Sequence, residues 1–169
     1  KPIDSGEYKE YNYDRKNKSG QNVLEVIHLA FTEQKNEIIR KDLLDKALRC
    51  AVTDGIRKTS VEQLTEAVGI AKGSFYKVFP SKDLLFFAVL ENIHAETYAV
   101  AEKALQDNAE LPPTERATKI ILAACKYLSD TKAMTFIEND AEYLLRRIPS
   151  DIKAAHYHGD EVHIRQILE

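Results

Sequence analysis

Between Ala71 and Val78 the chain carries Lys72, Gly73, Ser74, Tyr76 and Lys77, all small, polar or cationic, with Phe75 set among them. On a helix, Phe75 and Phe79 stand at i and i+4 and turn inward together, which leaves the other side chains toward solvent. A cationic surface of little bulk at a helix N-terminus suits the major groove of DNA, whose base edges offer donors, acceptors and the thymine methyl. Lys82 opens the helix that follows, where its charge and the nearby amides can hold a phosphate. Thr59 has a hydroxyl that can cap a helix and also reach a phosphate. Farther along, His156, Asp160 and His163 fall at i, i+4 and i+7, a spacing that can hold a metal ion. Isolated His and Asp on a solvated helix are far commoner than ligands, so neither a metal nor another cofactor is expected. His94, Tyr98, Cys125, Phe136, Tyr143 and His156 are adaptable or polar groups among apolar helices and are the candidates for lining a small-molecule pocket. Each is also an ordinary core or surface residue on its own, as are Tyr127 and Met134. Catalytic chemistry finds no foothold: the chain has no nucleophile paired with a base, no phosphate loop and no Gly-rich cofactor fingerprint.

The elements that would position these residues are helices. Val23, Leu24, Ile27, Ala30 and Phe31 predict a short amphipathic helix over about 21–34, after a polar arm rich in Tyr and Gly. Ile39, Leu43, Ala47 and Cys50 predict a second helix over about 36–52, stopped by Asp54-Gly55. Thr59 and Glu62 have capping-box spacing, and the short helix they open ends at Gly69. Another short helix runs over 71–78 and closes before Pro80; with Ala71 as its N-cap, Ile70 and Phe75 form a hydrophobic staple. Ser81 then caps a long helix with Leu85, Phe86, Val89, Leu90 and Ile93 on its stripe. Beyond Pro112-Pro113, Ala117, Ile120, Ile121, Ala124, Cys125 and Leu128 share one helical face. A helix or helix pair follows over about 133–147, and Pro149-Ser150 starts the last one. No stretch alternates with period two, so the fold class is all-α.

Composition agrees. The 169 residues include 44% hydrophobic and 30% charged residues, ordinary for a globular protein and too apolar for disorder throughout. No apolar run approaches the roughly 18 residues of a membrane span, and the two cysteines, Cys50 and Cys125, fit a reducing cytoplasm. Residues 36–82 hold nine Lys/Arg against six acids, although the whole chain has a formal charge of −3. A mildly basic segment on an acidic body fits a module that meets a polyanion.

Two short helices joined by a glycine turn within a basic stretch form a helix-turn-helix candidate. From Thr59 to Leu85 the run resembles the signature of the TetR (tetracycline-repressor-like) family of transcriptional regulators. The Gly73-Ser74-Phe75-Tyr76 core, Phe79 and the Ser81-Lys82-Asp83-Leu84-Leu85 opening lie in register, and the match extends over roughly 39–95. The resemblance implies a homodimeric repressor released from a near-palindromic operator on double-stranded DNA by a small-molecule effector. It implies a three-helix helix-turn-helix head over 36–82, a helical ligand-binding and dimerisation body over 83–169, and residues 1–35 as an added arm and helix. Thr59, Lys72, Gly73, Ser74, Tyr76, Lys77 and Lys82 are then the expected DNA contacts. The sequence departs from the pattern at Ala71, where a capping Ser or Thr is common, and at Val78, which cannot donate a hydrogen bond. Only 87 residues follow Lys82, fewer than the family's bodies usually have, so the body is expected to be incomplete. Two alternatives stand beside the regulator: a metal-dependent all-α enzyme using the His156/Asp160/His163 face, and a helical protein-interaction module.

Overall fold

Ser60, not Thr59, opens the first helix of the helix-turn-helix. Its hydroxyl accepts from the Gln63 amide at 3.1 Å, and the Gln63 side chain accepts from the Ser60 amide at 2.7 Å. This is the reciprocal capping box one residue later than the Thr59/Glu62 reading, with Gln in the place of Glu. Thr59 is instead buried, and its hydroxyl donates to the Gly55 carbonyl at 3.0 Å. The register moved because Thr59 is taken into the core side of the loop, which leaves Ser60 as the last extended residue before the helix.

The computed structural model describes the backbone of residues 19–168 and the side chains of residues 32–167. Of the arm expected over the first twenty residues, the first eighteen lie outside the described part, and Ser19 and Gly20 belong to a helix. Eight α-helices and one π-helical turn are assigned among the described residues: α1 (Ser19–Thr53), α2 (Val61–Val68), α3 (Lys72–Val78), α4 (Lys82–Asp107), α5 (Pro113–Asp130), α6 (Ala133–Phe136), the π turn (Ile137–Ala141), α7 (Glu142–Leu145) and α8 (Ser150–Leu168). No strand occurs among them, as the all-α reading requires. The two helices expected over 21–34 and 36–52 are assigned as the single α1, because Gln34-Lys35-Asn36 contains neither Gly nor Pro to interrupt it. The chain divides into two compact units, with the boundary between Lys35 and Asn36.

Within residues 36–169 one apolar cluster runs from the helix-turn-helix into the following helices. Leu43, Ala47 and Cys50 of α1, Ile56, Leu64 of α2, Phe75 and Phe79 around α3, and Leu85, Phe86, Val89 and Leu90 of α4 all belong to it. The buried core therefore runs without a break past residue 82. Gly69 ends α2 at φ 74°, a left-handed conformation that glycine adopts without cost, and Ser81 caps α4 through the Leu84 amide at 3.1 Å.

Two elements of the body differ from expectation. The face that α5 turns to its neighbours is rotated from the expected stripe: Ile120, Ala124 and Leu128 are half-buried, while Ala117, Ile121 and Cys125 are exposed. Arg116, Ala123 and Tyr127 take the inward places, so bulk and contact with α4 outweigh simple apolarity. After α5 the chain breaks at Lys132, at φ 58°, and the expected helix over 133–147 divides into α6, the π turn and α7. The wider π turn changes which side chains face the core, and Asp140 becomes one of them.

Candidate nucleic-acid interface

The turn between α2 and α3 is built by Gly69 and by Ile70, whose amide donates to the Thr65 carbonyl at 2.9 Å. Ala71 is the N-cap of α3 and gives no side-chain hydrogen bond; its carbonyl accepts from the Ser74 amide at 2.8 Å, and the Lys72 and Gly73 amides gain no acceptor from it. Phe75 is fully buried, 5.2 Å from the Tyr76 ring in an edge-to-face pair and 6.3 Å from Phe79. Fixed by this anchor, α3 turns Lys72, Gly73, Tyr76 and Lys77 to solvent, and Ser74 is half-buried. Tyr76 is 50% exposed, a large ring the core does not use. Gly73 has open space where a Cβ would stand, so the fold itself does not require glycine there. Lys72 is paired with Glu62 of α2. That hydrogen bond holds the Glu62 carboxyl below, and the Lys72 ammonium above, their ordinary values. A phosphate or base must therefore compete with Glu62 for Lys72.

The other two expected contacts have internal duties. Thr59 is 4% exposed and its hydroxyl is satisfied within the loop, so it presents nothing to an outside phosphate. Lys82 is half-buried and donates to the Ile56 carbonyl at 2.8 Å and the Thr59 carbonyl at 2.7 Å. Two of its three donors thus tie α4 to the loop before α2. On the opposite side of that loop, Asp140 of the π turn accepts from the Ile56 amide at 3.0 Å and from Arg57 Nε at 3.2 Å, while Arg57 also donates to the Asn139 carbonyl. Gly55 makes this approach possible: at φ 81° it adopts a left-handed conformation, and a Cβ there would stand 2.9 Å from Asp140 Oδ2. Asp140 was not among the sequence candidates, and no local signal could have revealed it, because its partner Ile56 is 84 residues away.

The six candidates for a small-molecule pocket separate into two groups. His94 and Tyr98 of α4 and His156 of α8 come together around Asp160: His94 Nδ1 lies 3.1 Å from Asp160 Oδ1, and the Tyr98 hydroxyl donates to the same oxygen at 2.9 Å. Burial, with Asp160 second, pushes the Tyr98 phenol well above its ordinary value, so it stays a donor. Cys125 is exposed on α5, Phe136 is fully buried in the core, and the Tyr143 ring lies between Arg57 and Arg147 at 5.1 and 5.2 Å. These three serve other contacts and do not join the first group. Of the His156/Asp160/His163 face, His163 is set apart, stacked on Tyr98 at 4.6 Å with Nδ1 facing the Gly159 carbonyl. Glu91 takes its place: Oε1 is 2.5 Å from His156 Nδ1. The Glu91-x-x-His94 spacing was readable in the sequence as one helical face.

Comparison with known proteins bears on the helix-turn-helix segment. Residues 43–89 match the profile of the bacterial regulatory proteins of the tetR family. An HTH-type transcriptional repressor of Mycobacterium tuberculosis is 36% identical over 64 residues, covering 38% of this chain and 34% of the relative. The nucleoid occlusion factor SlmA of Glaesserella parasuis is 33% identical over 84 residues, covering 48% of this chain and 41% of the relative. The chain thus spans between a third and a half of the length of these relatives. A solved structure from Shewanella sp., assigned to the tetR family of transcription regulators, superposes with a TM-score of 0.62 at 18% identity. It covers 76% of this chain and 67% of that one, a likeness of fold.

Proposed function

We propose that this chain, whose residues 43–89 belong to the tetR family of bacterial regulatory proteins, is a DNA-binding transcriptional regulator that lays α3 in the major groove. The observation that carries the reading is the two-sidedness of α3. Phe75 fixes the helix from within, while Lys72, Gly73, Tyr76 and Lys77 stand exposed. Lys72 and Lys77 supply attraction to phosphate and hydrogen bonds to base edges, and Tyr76 supplies contact with bases or the thymine methyl. Gly73 lets the helix backbone approach the DNA closely, and Ser74 donates from the first turn. Thr59 and Lys82 act one step back, by setting the loop and the start of α4 on which α3 rests. The family is one of regulators, which favours this reading over a metal-dependent enzyme or a protein-interaction module. In keeping with it, the protein would act as a cytoplasmic homodimer on a near-palindromic operator, as a repressor that a small molecule releases. Among the described residues no helix is long and apolar enough to cross a membrane.

The test is selection of duplexes from the source genome, followed by anisotropy on the recovered sequence at two salt concentrations. A near-palindrome whose affinity falls steeply with salt is the expected result, because each lysine–phosphate contact releases counterions. The double variant Tyr76→Ala/Lys77→Ala should lose about a hundredfold or more in affinity, from about 1–3 kcal/mol per contact, with its urea midpoint unchanged. Operator affinity retained by that variant overturns the reading.

A further inference from the structure

We infer that Glu91, His94 and His156 form a binding site for a divalent transition-metal ion of the Zn2+ class between α4 and α8. The three side chains each bring one ligand atom, and these atoms all lie within 4.8 Å of one another. A tetrahedral ion with bonds of about 2.0–2.1 Å needs its ligands roughly 3.3 Å apart, so Glu91 Oε1, 2.5 Å from His156 Nδ1, has to make a small outward move as the ion enters. Glu91 is the one able to make it, since 45% of its side chain is exposed whereas His156 is 3% exposed.

The surroundings resemble the shell of a metal site more than an ordinary helix contact. On α4 Glu91 and His94 stand at i and i+3, the Glu-x-x-His arrangement with which helical bundles hold metal ions. On α8 His156 and Asp160 stand at i and i+4 and face it. Phe87 closes the inner side with its ring 5.5 Å from His156, and the His94 ring, 5.0 Å from that of His156, has to turn out of its stack for both in-plane lone pairs to reach one ion. Asp160 fixes the His94 ring through Nδ1 and is itself held by the Tyr98 hydroxyl. A carboxylate behind a ligand histidine is the usual means of orienting it and raising its basicity. The two carboxylates bring two negative charges to a half-buried place, which a divalent cation balances in one step.

The ion takes the place of the Glu91–His156 hydrogen bond: His156 Nδ1 gives it a lone pair, and Nε2, 3.6 Å from Asp160 Oδ2, carries the N–H of the ring. Two imidazoles and a carboxylate suit Zn2+, Co2+ or Ni2+ and not the all-oxygen preference of Mg2+ or Ca2+. The site differs from the His156/Asp160/His163 face by exchanging Asp160 and His163 as ligands for two residues of α4, and its test does not depend on DNA binding.

The test uses the untagged full chain, stripped with chelator and titrated with Co2+ while its visible absorption is followed, then with Zn2+ against a chromophoric chelator. One Co2+ per chain, with an intense low-coordination band that Zn2+ bleaches, is expected. Tyr98→Phe, which loosens Asp160, should weaken binding by about tenfold. Glu91→Gln and His94→Gln should each weaken it more than that, and His158→Gln and His163→Gln should leave it unchanged. Circular dichroism separates lost ligands from lost fold, and Glu91→Gln, at an exposed position, decides the matter if His94→Gln does not fold. Absence of saturable binding, or wild-type affinity in folded Glu91→Gln, overturns the site.

Discussion

The segment around α3 and the helix α5 carry apolar patterns of similar clarity and meet opposite fates. Leu64, Phe75 and Phe79 are at most 3% exposed, whereas α5 buries no residue fully and leaves Ile121 62% and Leu122 59% exposed. The difference does not lie in periodicity. The short α2 and α3 are enclosed by α1 and α4, so their apolar side chains are covered from more than one direction. In the described structure α5 rests chiefly on α4, and half-burial is all that one neighbour provides. An amphipathic stripe states which face avoids water; it does not state how completely the rest of the chain covers it.

The contrast breaks most sharply at single side chains. Phe75→Ala is expected to cost about 3–5 kcal/mol in urea unfolding, because a buried ring is replaced by a cavity. Ile121→Ala should stay within about 0.5 kcal/mol, as exposed positions do. A loss at Ile121 above that range, or one that grows with dilution, would show that α5 is covered in solution and would end the comparison.

Asp140→Ala is expected to be the next largest, at about 1–3 kcal/mol, since it leaves the buried Ile56 amide without its acceptor. The loop over residues 54–60 carries α2 and α3, so this variant should also exchange its Ile56 amide hydrogen faster than the rest of the core. Unchanged stability and protection would mean that Lys82 alone holds the loop. The smallest effect falls on Gly73→Ala, where the fold has room for a Cβ. Stability should rise by about 0.5 kcal/mol or less, as Ala favours helix over Gly, while operator affinity drops if the helix backbone approaches DNA closely. Unchanged affinity would reduce Gly73 to a bystander.

Much of this was readable in advance, and the reasons are local. Gly69, Pro80, Ser81 and Pro112-Pro113 punctuate the chain through backbone sterics and capping, which act over a few residues. The i, i+4 pair Phe75 and Phe79 sets the inward face of α3 and, with it, the exposed one. The α2 cap falls one residue later than local spacing implies, because burial of Thr59 depends on what packs behind it. That Cys125, Phe136 and Tyr143 lie apart from His94, Tyr98 and His156 is not legible locally, since spacing within a helix says nothing about which helices face each other.

The sequence by itself determined the class of the fold, the end of α2, the limits of α3, the start of α4 and the side chains that α3 turns outward, because each depends on neighbours within a turn or two. Tertiary structure alone decided that Asp140 and Lys82 both hold the loop before α2, that Thr59 is internal, and that Glu91, His94, His156 and Asp160 meet. Those contacts join residues from 23 to 84 positions apart. Such distances are closed by packing of the whole core, not by any preference the intervening residues express.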